Sequence, residues 1–173
     1  MGENREDINE LLDRIFANVN NWLTFAEAKN GALIALNIGM IAAIIGSLDF
    51  WGETILTYIV IICIMASTVV SLFSFIPQTG KDRQVLVVHK AEDNLLFYQD
   101  IAKYSASEYL CALYKKYYNM EVQKENLDKL ELDYSREITY NAFITDNKNI
   151  KFRKALEIDL LTFLIIGLML VIA

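Results

Sequence analysis

The apolar residues of this chain are gathered into long charge-free blocks rather than spread evenly along it. Residues 30–48 and 54–80 contain no Asp, Glu, Lys, Arg or His, and a shorter block covers 160–173. A helix needs about 20 apolar residues to cross the hydrocarbon core of a bilayer. The first two blocks therefore predict membrane spans, near 30–48 and 54–76. The third block is long enough only if the helix begins earlier, near Phe152, with Glu157 and Asp159 at the membrane interface, and we predict a third span over 155–173.

The segment before the first block, residues 1–29, predicts an amphipathic cytoplasmic helix. Its apolar residues recur at alternating spacings of four and three, which is the seam of a packed helix. They are Ile8, Leu12, Ile15, Val19 and Trp22. Two partners for this stripe remain open: the rest of the same chain, or a second copy of it. The pair Asn30–Gly31 follows at the junction with the first span, where we predict a hinge.

The long polar insert, residues 77–154, also predicts helices, because 81–154 contains neither glycine nor proline. Ser105 and Glu108 have the spacing of a capping box at a helix start. A second helix is predicted from about Val122 to Phe143, with a break at 146–149 before the last span. The segment 83–89, RQVLVVH, could be a short strand or an extended connector.

Together these segments predict an all-α integral membrane protein. Its parts are an N-terminal amphipathic helix (1–29), a two-span transmembrane hairpin (30–76), a helical cytoplasmic insert (77–154) and a C-terminal third span (155–173). Lysine and arginine flank the insert side of the spans and are missing from the turn 47–53. The positive-inside rule therefore places the N-terminus and the insert in the cytoplasm, with a multi-pass chain in a cell membrane.

Charge, cysteine and histidine content and the absence of catalytic motifs argue against several classes of protein function. The net charge is −6, from 16 basic and 22 acidic residues, so no surface favours duplex nucleic acid. One histidine and two cysteines have no metal-site spacing, so we expect no metal and no cofactor. The sequence has no phosphate-binding glycine loop and no nucleophile or zinc motif, and we predict that the protein is not an enzyme.

Small residues recur every four positions in both spans, which is one helix face. They are Gly31, Ala35, Gly39, Ala43 and Ser47 in the first span, and Cys63, Ser67 and Ser71 in the second. Such faces let helices approach closely in lipid. We predict close packing there, either between the two spans or between subunits. Asn37, inside the first span, is predicted to hydrogen-bond a neighbouring helix, or alternatively to line a polar path.

The insert combines many aromatic residues with scattered basic ones, a composition that can stack a nucleobase and pair a phosphate. The candidate ligand-binding residues are Tyr98, Lys103, Arg136, Tyr140 and Arg153. The alternative is that the tyrosines fill a small helical core. Sequence leaves both open.

Three stretches resemble a known family. KNGALIALN (29–37), NLLFYQDIAKYSASEYL (94–110), and the charged approach to the last span with Asn141 and Arg153, are similar to the small transmembrane effectors of Pycsar antiphage defence. The resemblance extends over nearly the whole chain from about Ala26. It implies a membrane effector in the bacterial inner membrane, triggered by a cyclic pyrimidine mononucleotide, cCMP or cUMP, that a separate cyclase makes.

That resemblance further implies that the effector impairs the membrane and causes abortive infection. We expect a homo-oligomer whose partners are the lipid bilayer and the nucleotide. The β-rich domain that usually binds cyclic nucleotides has no counterpart in this sequence, so the helical insert or a subunit interface would have to bind the ligand. The alternative function is a small oligomeric channel, or a membrane scaffold whose insert recruits a partner.

Overall fold

The computed structural model describes residues 3–78, 90 and 92–172, and these residues form helices and no strand. The α-helices are α1 (Glu3–Gly46), α2 (Leu48–Trp51), α3 (Ile55–Leu72), α4 (Tyr98–Ile101), α5 (Ala106–Tyr118) and α6 (Lys129–Ile172). Short 3-10 helices cover Phe73–Phe75 and Lys124–Asn126. The prediction of an all-helical chain is confirmed. The segment 83–89 lies outside the described residues.

The chain divides into two compact units. Unit 1 comprises residues 1–25 and 78–146, and unit 2 comprises 26–77 and 147–173. Helices α1 and α6 each continue from one unit into the other, so each helix contributes residues to both units.

Unit 1 is built around the apolar stripe at the start of α1. Ile8, Leu12 and Val19 are fully buried, in one cluster with residues of α5 and α6 such as Leu113 and Ile138. Of the two partners left open for this stripe, the structure shows the first, the rest of the same chain. The alternative interpretation of the aromatic residues, that tyrosines fill a small helical core, also holds in part. Tyr104, Tyr109 and Tyr114 are buried in this core.

The start of α5 is fixed by a capping box, as the sequence predicts. The Ser105 hydroxyl accepts a hydrogen bond from the Glu108 N–H, and the Glu108 carboxylate accepts one from the Ser105 N–H. Asn119 ends the helix in the left-handed conformation, with a φ of 52°. Asparagine tolerates this conformation better than most residues. The next α-helix begins at Lys129 rather than near Val122, which corrects the predicted boundary.

Two helices among the described residues are long and apolar enough to cross a bilayer. These candidate spans cover Asp7–Gly46 and Ile55–Phe75. The turn between them contains Gly52, whose φ of 71° favours glycine. Thr54 caps α3 by accepting a hydrogen bond from the Thr57 N–H at 3.2 Å. The third span, 155–173, stays a prediction and lies largely within α6.

Two predicted interruptions are absent. The helix α1 continues through Asn30–Gly31, and α6 continues through 146–149, so the predicted break there was wrong. Asparagine and aspartate lower helix propensity by less than about 1 kcal/mol each, which tertiary contacts can outweigh. Here the buried Lys148 ammonium donates to the Ser74 carbonyl at 2.7 Å and pairs with Glu27 at 3.2 Å. Asn30 also donates to the Lys148 carbonyl, at 3.3 Å.

Candidate functional site

The first candidate site is a cleft of about 590 Å³ in unit 1, a volume typical of pockets for small molecules. It is bordered by α5, by the 3-10 helix Lys124–Asn126, and by the segment that precedes α4. Its lining residues are Lys90, Asp93, Leu95, Tyr104, Glu108, Cys111, Ala112, Lys115, Lys116 and Lys124. Four lysines against two carboxylates give the cleft a positive surplus.

Helix α5 contributes five of the ten lining residues. Four of them, Glu108, Cys111, Ala112 and Lys115, follow the spacing i, i+3, i+4 and i+7, so they share a face of the helix. The helix is amphipathic here, because Leu113 on the other side is fully buried in the core of unit 1. Packing of the apolar face against the core thus sets the orientation of α5 about its own axis, so that the polar face lines the cleft.

The carboxylates of the cleft are held in place by local contacts. Burial opposes the ionisation of Asp93, but hydrogen bonds from Lys103, from the Lys90 N–H and from Tyr104 outweigh it and lower the Asp93 pKa. Asp100 first and then Asp93 raise the pKa of Lys103 to about 12. Hydrogen bonding to Ser105, and then to Lys124, lowers the Glu108 pKa against the opposing effect of burial. Both carboxylates are therefore ionised at neutral pH.

The uncharged groups of the cleft stay neutral. Burial, together with the nearby Asp93 charge, raises the pKa of Tyr104 to about 12. Burial also raises the pKa of the Cys111 thiol, so this cysteine is not an activated thiolate. The cleft therefore offers ammonium groups, a phenol and apolar side chains, which is a set suited to binding an organic anion rather than to nucleophilic chemistry.

Two of the lysines are available to such an anion. Lys115 and Lys124 are 72% and 54% exposed, and their ion pairs, with Glu121 at 3.1 Å and with Glu108 at 3.3 Å, are also open to solvent. Exposed ion pairs contribute about 0–1 kcal/mol. A phosphate entering the cleft could therefore take over these ammonium groups at little cost. Lys116 differs, because it donates to the Asp93 carbonyl at 2.6 Å.

The ligand-binding residues predicted from sequence lie elsewhere. Tyr98 packs edge-on against Trp22, with ring centroids 5.3 Å apart. Lys103 pairs with Asp93 at 2.8 Å, behind the cleft lining rather than in it.

Arg136 and Tyr140 lie one turn apart on α6, in unit 1. Arg136 is exposed and pairs with Asp133 at 3.2 Å, while the Tyr140 hydroxyl donates to the Gln78 carbonyl. Arg153 belongs to unit 2 and has Glu157 as its ion partner, at 3.9 Å. The sequence analysis did not select the cleft residues Lys90, Lys115 and Lys124 as ligand-binding candidates. The three lysines within residues 115–124 were a local concentration of positive charge that could have indicated an anion site.

The second candidate site is a buried polar layer inside unit 2. Asn37 of α1 donates to the Ser67 hydroxyl of α3 at 3.0 Å. That hydroxyl lies 2.8 Å from the Asp159 carboxylate of α6. All three residues are fully buried. The predicted role of Asn37 as an interhelical hydrogen-bonding group is confirmed. The burial of Asp159 was not predicted, because the sequence analysis placed Asp159 at the membrane interface.

The predicted small-residue faces divide between two environments. Ser67 and Ser71 are fully buried, and Gly31 is half-buried, with an added Cβ 3.9 Å from the Phe75 ring. Ser47 and Cys63 are also half-buried, whereas Ala35, Gly39 and Ala43 are exposed in this chain. Helix α1 meets its neighbours in unit 2 through another face instead, whose buried residues are Leu33, Asn37 and Ile44.

No metal centre is evident in the part of the chain that the structure describes. Within residues 3–78, 90 and 92–172, no three His, Cys, Asp or Glu side chains are grouped to hold a metal ion.

The helical fold and its two candidate spans define a membrane-associated protein with a separate unit that contains a basic cleft. The chain belongs to the PycTM family: residues 11–173, nearly the whole chain, match the Pycsar effector protein domain. Membership implies a membrane-disrupting effector of antiphage defence that responds to a cyclic nucleotide. No curated protein and no solved structure matches the chain significantly.

Proposed function

We propose that unit 1 senses a cyclic pyrimidine mononucleotide, cCMP or cUMP, and that unit 2 then impairs the bacterial inner membrane and causes abortive infection. The family implies the cyclic-nucleotide trigger and the membrane target. The identity of the nucleotide, its binding residues and the assembly are our proposal. The chain acts without catalysis, because a separate cyclase makes the signal.

The lysine-lined cleft is the observation that carries this proposal. A cyclic mononucleotide has one phosphate with a single negative charge, and lysine binds phosphate as a point charge. In the proposed complex Lys115 and Lys124 pair with that phosphate and release Glu121 and Glu108. The apolar side of the cleft, which includes Leu95 and Ala112, receives the base.

The two long helices offer a route from the sensor to the membrane. Residues of unit 1 and unit 2 lie on the same helices, α1 and α6. A ligand changes a conformational equilibrium only through its different affinity for the two states. In this proposal the nucleotide binds more tightly when Glu108 has released Lys124, and the resulting movement of α5 against α1 and α6 is passed along both helices.

The proposal includes a topology and an assembly. The N-terminus and residues 77–154 face the cytoplasm, where the nucleotide is made, in agreement with the positive-inside rule. The exposed face formed by Ala35, Gly39 and Ala43 packs against a second copy of the chain, because small residues permit close helix contact in lipid.

Calorimetry on the full chain in detergent tests the sensor. The titrants are cCMP, cUMP and, for comparison, cyclic AMP. We expect cCMP or cUMP to bind, and the double variant Lys115→Gln/Lys124→Gln to bind at least about 100-fold more weakly, since each charged hydrogen bond contributes about 1.5–3 kcal/mol and the variant removes two. Lys129→Gln removes an exposed lysine of unit 1 outside the cleft and is the matched control.

The residues predicted from sequence provide a competing location in the same experiment. Arg136→Gln removes an exposed arginine of α6 and should leave binding unchanged if the cleft is the site. Loss of binding in Arg136→Gln, with full binding in the double lysine variant, would move the site to α6. An absence of binding to every cyclic pyrimidine nucleotide would end the direct-sensor proposal.

A further inference from the structure

The polar layer of unit 2, formed by Asn37, Ser67 and Asp159, has more hydrogen-bond acceptors than donors. The Ser67 hydroxyl lies 2.8 Å from Oδ2 of Asp159 and 3.0 Å from the Ala155 carbonyl, and it can donate its single hydrogen to only one of them at a time. Asn37 Oδ1 and Asp159 Oδ1 are both buried without a hydrogen-bond partner. The layer therefore lacks positive or hydrogen-bearing groups for at least two oxygen atoms.

No ion pair offsets this deficit among the described residues. The cations of unit 2 for which the structure gives an ion pair contact other acids: Lys148 contacts Glu27, and Arg153 contacts Glu157. The helix that carries Ser67 is also apolar where it is buried next to the layer, since Ile64 and Val60, about one and two turns before Ser67 on α3, are buried. A buried carboxylate with no charged partner is costly within a membrane segment and marks an ion or proton pathway when it occurs.

The oxygen atoms come from all three long helices of unit 2, α1, α3 and α6. Carboxylate, amide, hydroxyl and carbonyl oxygens are the ligands that hard cations prefer, and rings of acidic side chains select cations in channels. A cation in the layer would contact the two unpartnered oxygens and would relieve the competition for the Ser67 hydrogen. No anion could do so, because the layer already has too many acceptors.

We propose that Asn37, Ser67 and Asp159 form a binding site for a monovalent alkali cation within the membrane part of the protein. We further infer that the Asp159 carboxylate makes the opened effector selective for cations over anions, an extension that rests on the proposed function. A cation leak through the opened effector is then part of how the membrane is impaired.

Thermal unfolding of the detergent-solubilised full chain tests the site without any nucleotide. The probes are NaCl and KCl, compared at equal ionic strength with the chloride of N-methyl-D-glucamine, a cation too large for the layer. We expect Na⁺ or K⁺ to raise the wild-type Tm by about 3–5 °C when its concentration is roughly tenfold above the dissociation constant. The same rise is expected in Glu157→Gln, which removes an exposed carboxylate two residues away on the same helix.

Asp159→Asn should abolish that rise. Its amide supplies the missing hydrogens, so the variant should fold and become insensitive to the cation. A second variant, Asn37→Ala, removes one ligand oxygen and should reduce the rise without removing the carboxylate. A wild-type Tm that is equal in the three salts overturns the site, and so does a full cation-dependent rise in Asp159→Asn.

Ion flux tests the selectivity. The full chain is reconstituted in vesicles of phosphatidylethanolamine and phosphatidylglycerol, and K⁺ and Cl⁻ release are recorded after the nucleotide that binds in calorimetry is added. We expect K⁺ release to exceed Cl⁻ release at least tenfold in wild type and Glu157→Gln, and this preference to be lost in Asp159→Asn. Equal release of both ions in wild type contradicts the selectivity. If no nucleotide binds, the proposed sensor fails, while the Tm comparison still decides the cation site.

Discussion

Two buried aspartates, one in each unit, have opposite surroundings. Asp93 of unit 1 is 6% exposed and accepts hydrogen bonds from the Lys103 ammonium at 2.8 Å, the Lys90 N–H at 2.8 Å and the Tyr104 hydroxyl at 3.4 Å. Asp159 of unit 2 is fully buried and has only uncharged donors, the Ser67 hydroxyl at 2.8 Å and the Asn37 side chain, while its Oδ1 has no hydrogen-bond partner. The residue type is the same, but the number of donors differs.

This difference separates a structural carboxylate from a functional one. Asp93 is fully satisfied, so its charge organises the segment between Lys90 and Tyr104 and positions the wall of the cleft. Asp159 is incompletely satisfied, and an unsatisfied buried polar group costs about 1–3 kcal/mol. A protein that retains such a group gains something else from it, which we assign to cation binding.

Replacing Asp93 should have the largest effect on stability. Asp93→Ala leaves the Lys103 ammonium with Asp100 and solvent, and leaves the Lys90 N–H without its acceptor. We expect a loss of about 2–3 kcal/mol of unfolding free energy, below the 3–5 kcal/mol of a fully buried pair because Lys103 is 29% exposed. Chemical denaturation in detergent measures it, with Glu92→Ala, an exposed neighbour, as the control. A loss no larger than that of the control would contradict the structural role of Asp93.

The contribution of Asp93 should also depend on pH. Its pKa is lowered in the folded chain, so the stabilisation is present above the unfolded pKa of about 4 and is lost as the pH falls through the lower folded value. The Lys103 pKa is raised to about 12, so its contribution is present below the unfolded value and is lost as the pH rises through about 12. The stability difference between wild type and Asp93→Ala should be constant from about pH 5 to 10 and shrink in acid. A difference that grows in acid would reverse this sign.

Removing the Ser67 hydroxyl from the polar layer should have a smaller effect. Ser67→Ala leaves both Asn37 and Asp159 without their shared partner. Hydrogen bonds between membrane helices contribute about 0.6–1.7 kcal/mol each, so we expect a loss of about 1–2 kcal/mol. Thr68→Ala is the matched control, because Thr68 donates only to the Ile64 carbonyl of its own helix. Equal stability of the two variants would show that the layer contributes nothing to packing.

The smallest effect on stability is expected at Gly39. An added Cβ there meets no atom within 4 Å, so Gly39→Leu should change the Tm of the dispersed chain by less than about 1 °C. Expression of the same variant in phage-infected cells should nevertheless abolish growth arrest, because leucine separates helices that pack through small residues. A large fall in Tm would place this face inside the folded chain, and retained growth arrest would remove it from the subunit contact.

The sequence predicted the elements whose signal is local. The stripe from Ile8 to Val19 and the capping box at Ser105 each follow from spacing within one helix, and both are present. The hydrogen bond of Asn37 could be anticipated because an amide in a span needs a partner, but its partner Ser67 could not be identified from spacing alone.

The features that depend on long-range contacts were not predicted. The helix α6 continues through 146–149 because Lys148 is held by Ser74 and Glu27, more than 70 residues away. The cleft was not predicted because Lys90 and Lys124 are brought close to α5 only by folding. The aromatic residues that suggested a nucleobase site include Tyr104, Tyr109 and Tyr114, which are buried in the core of unit 1. Asp159 was placed at the membrane interface because hydropathy cannot distinguish a carboxylate at a helix end from one enclosed by two other helices.

The most direct test of the central claim is nucleotide-dependent K⁺ release from vesicles that contain the full chain. We predict that cCMP or cUMP starts K⁺ release in wild type and in the Lys129→Gln control. The Lys115→Gln/Lys124→Gln variant should stay closed at nucleotide concentrations that open wild type fully. K⁺ release that occurs without nucleotide, or that persists unchanged in the double lysine variant, would contradict the account of a lysine-lined sensor that controls a membrane leak.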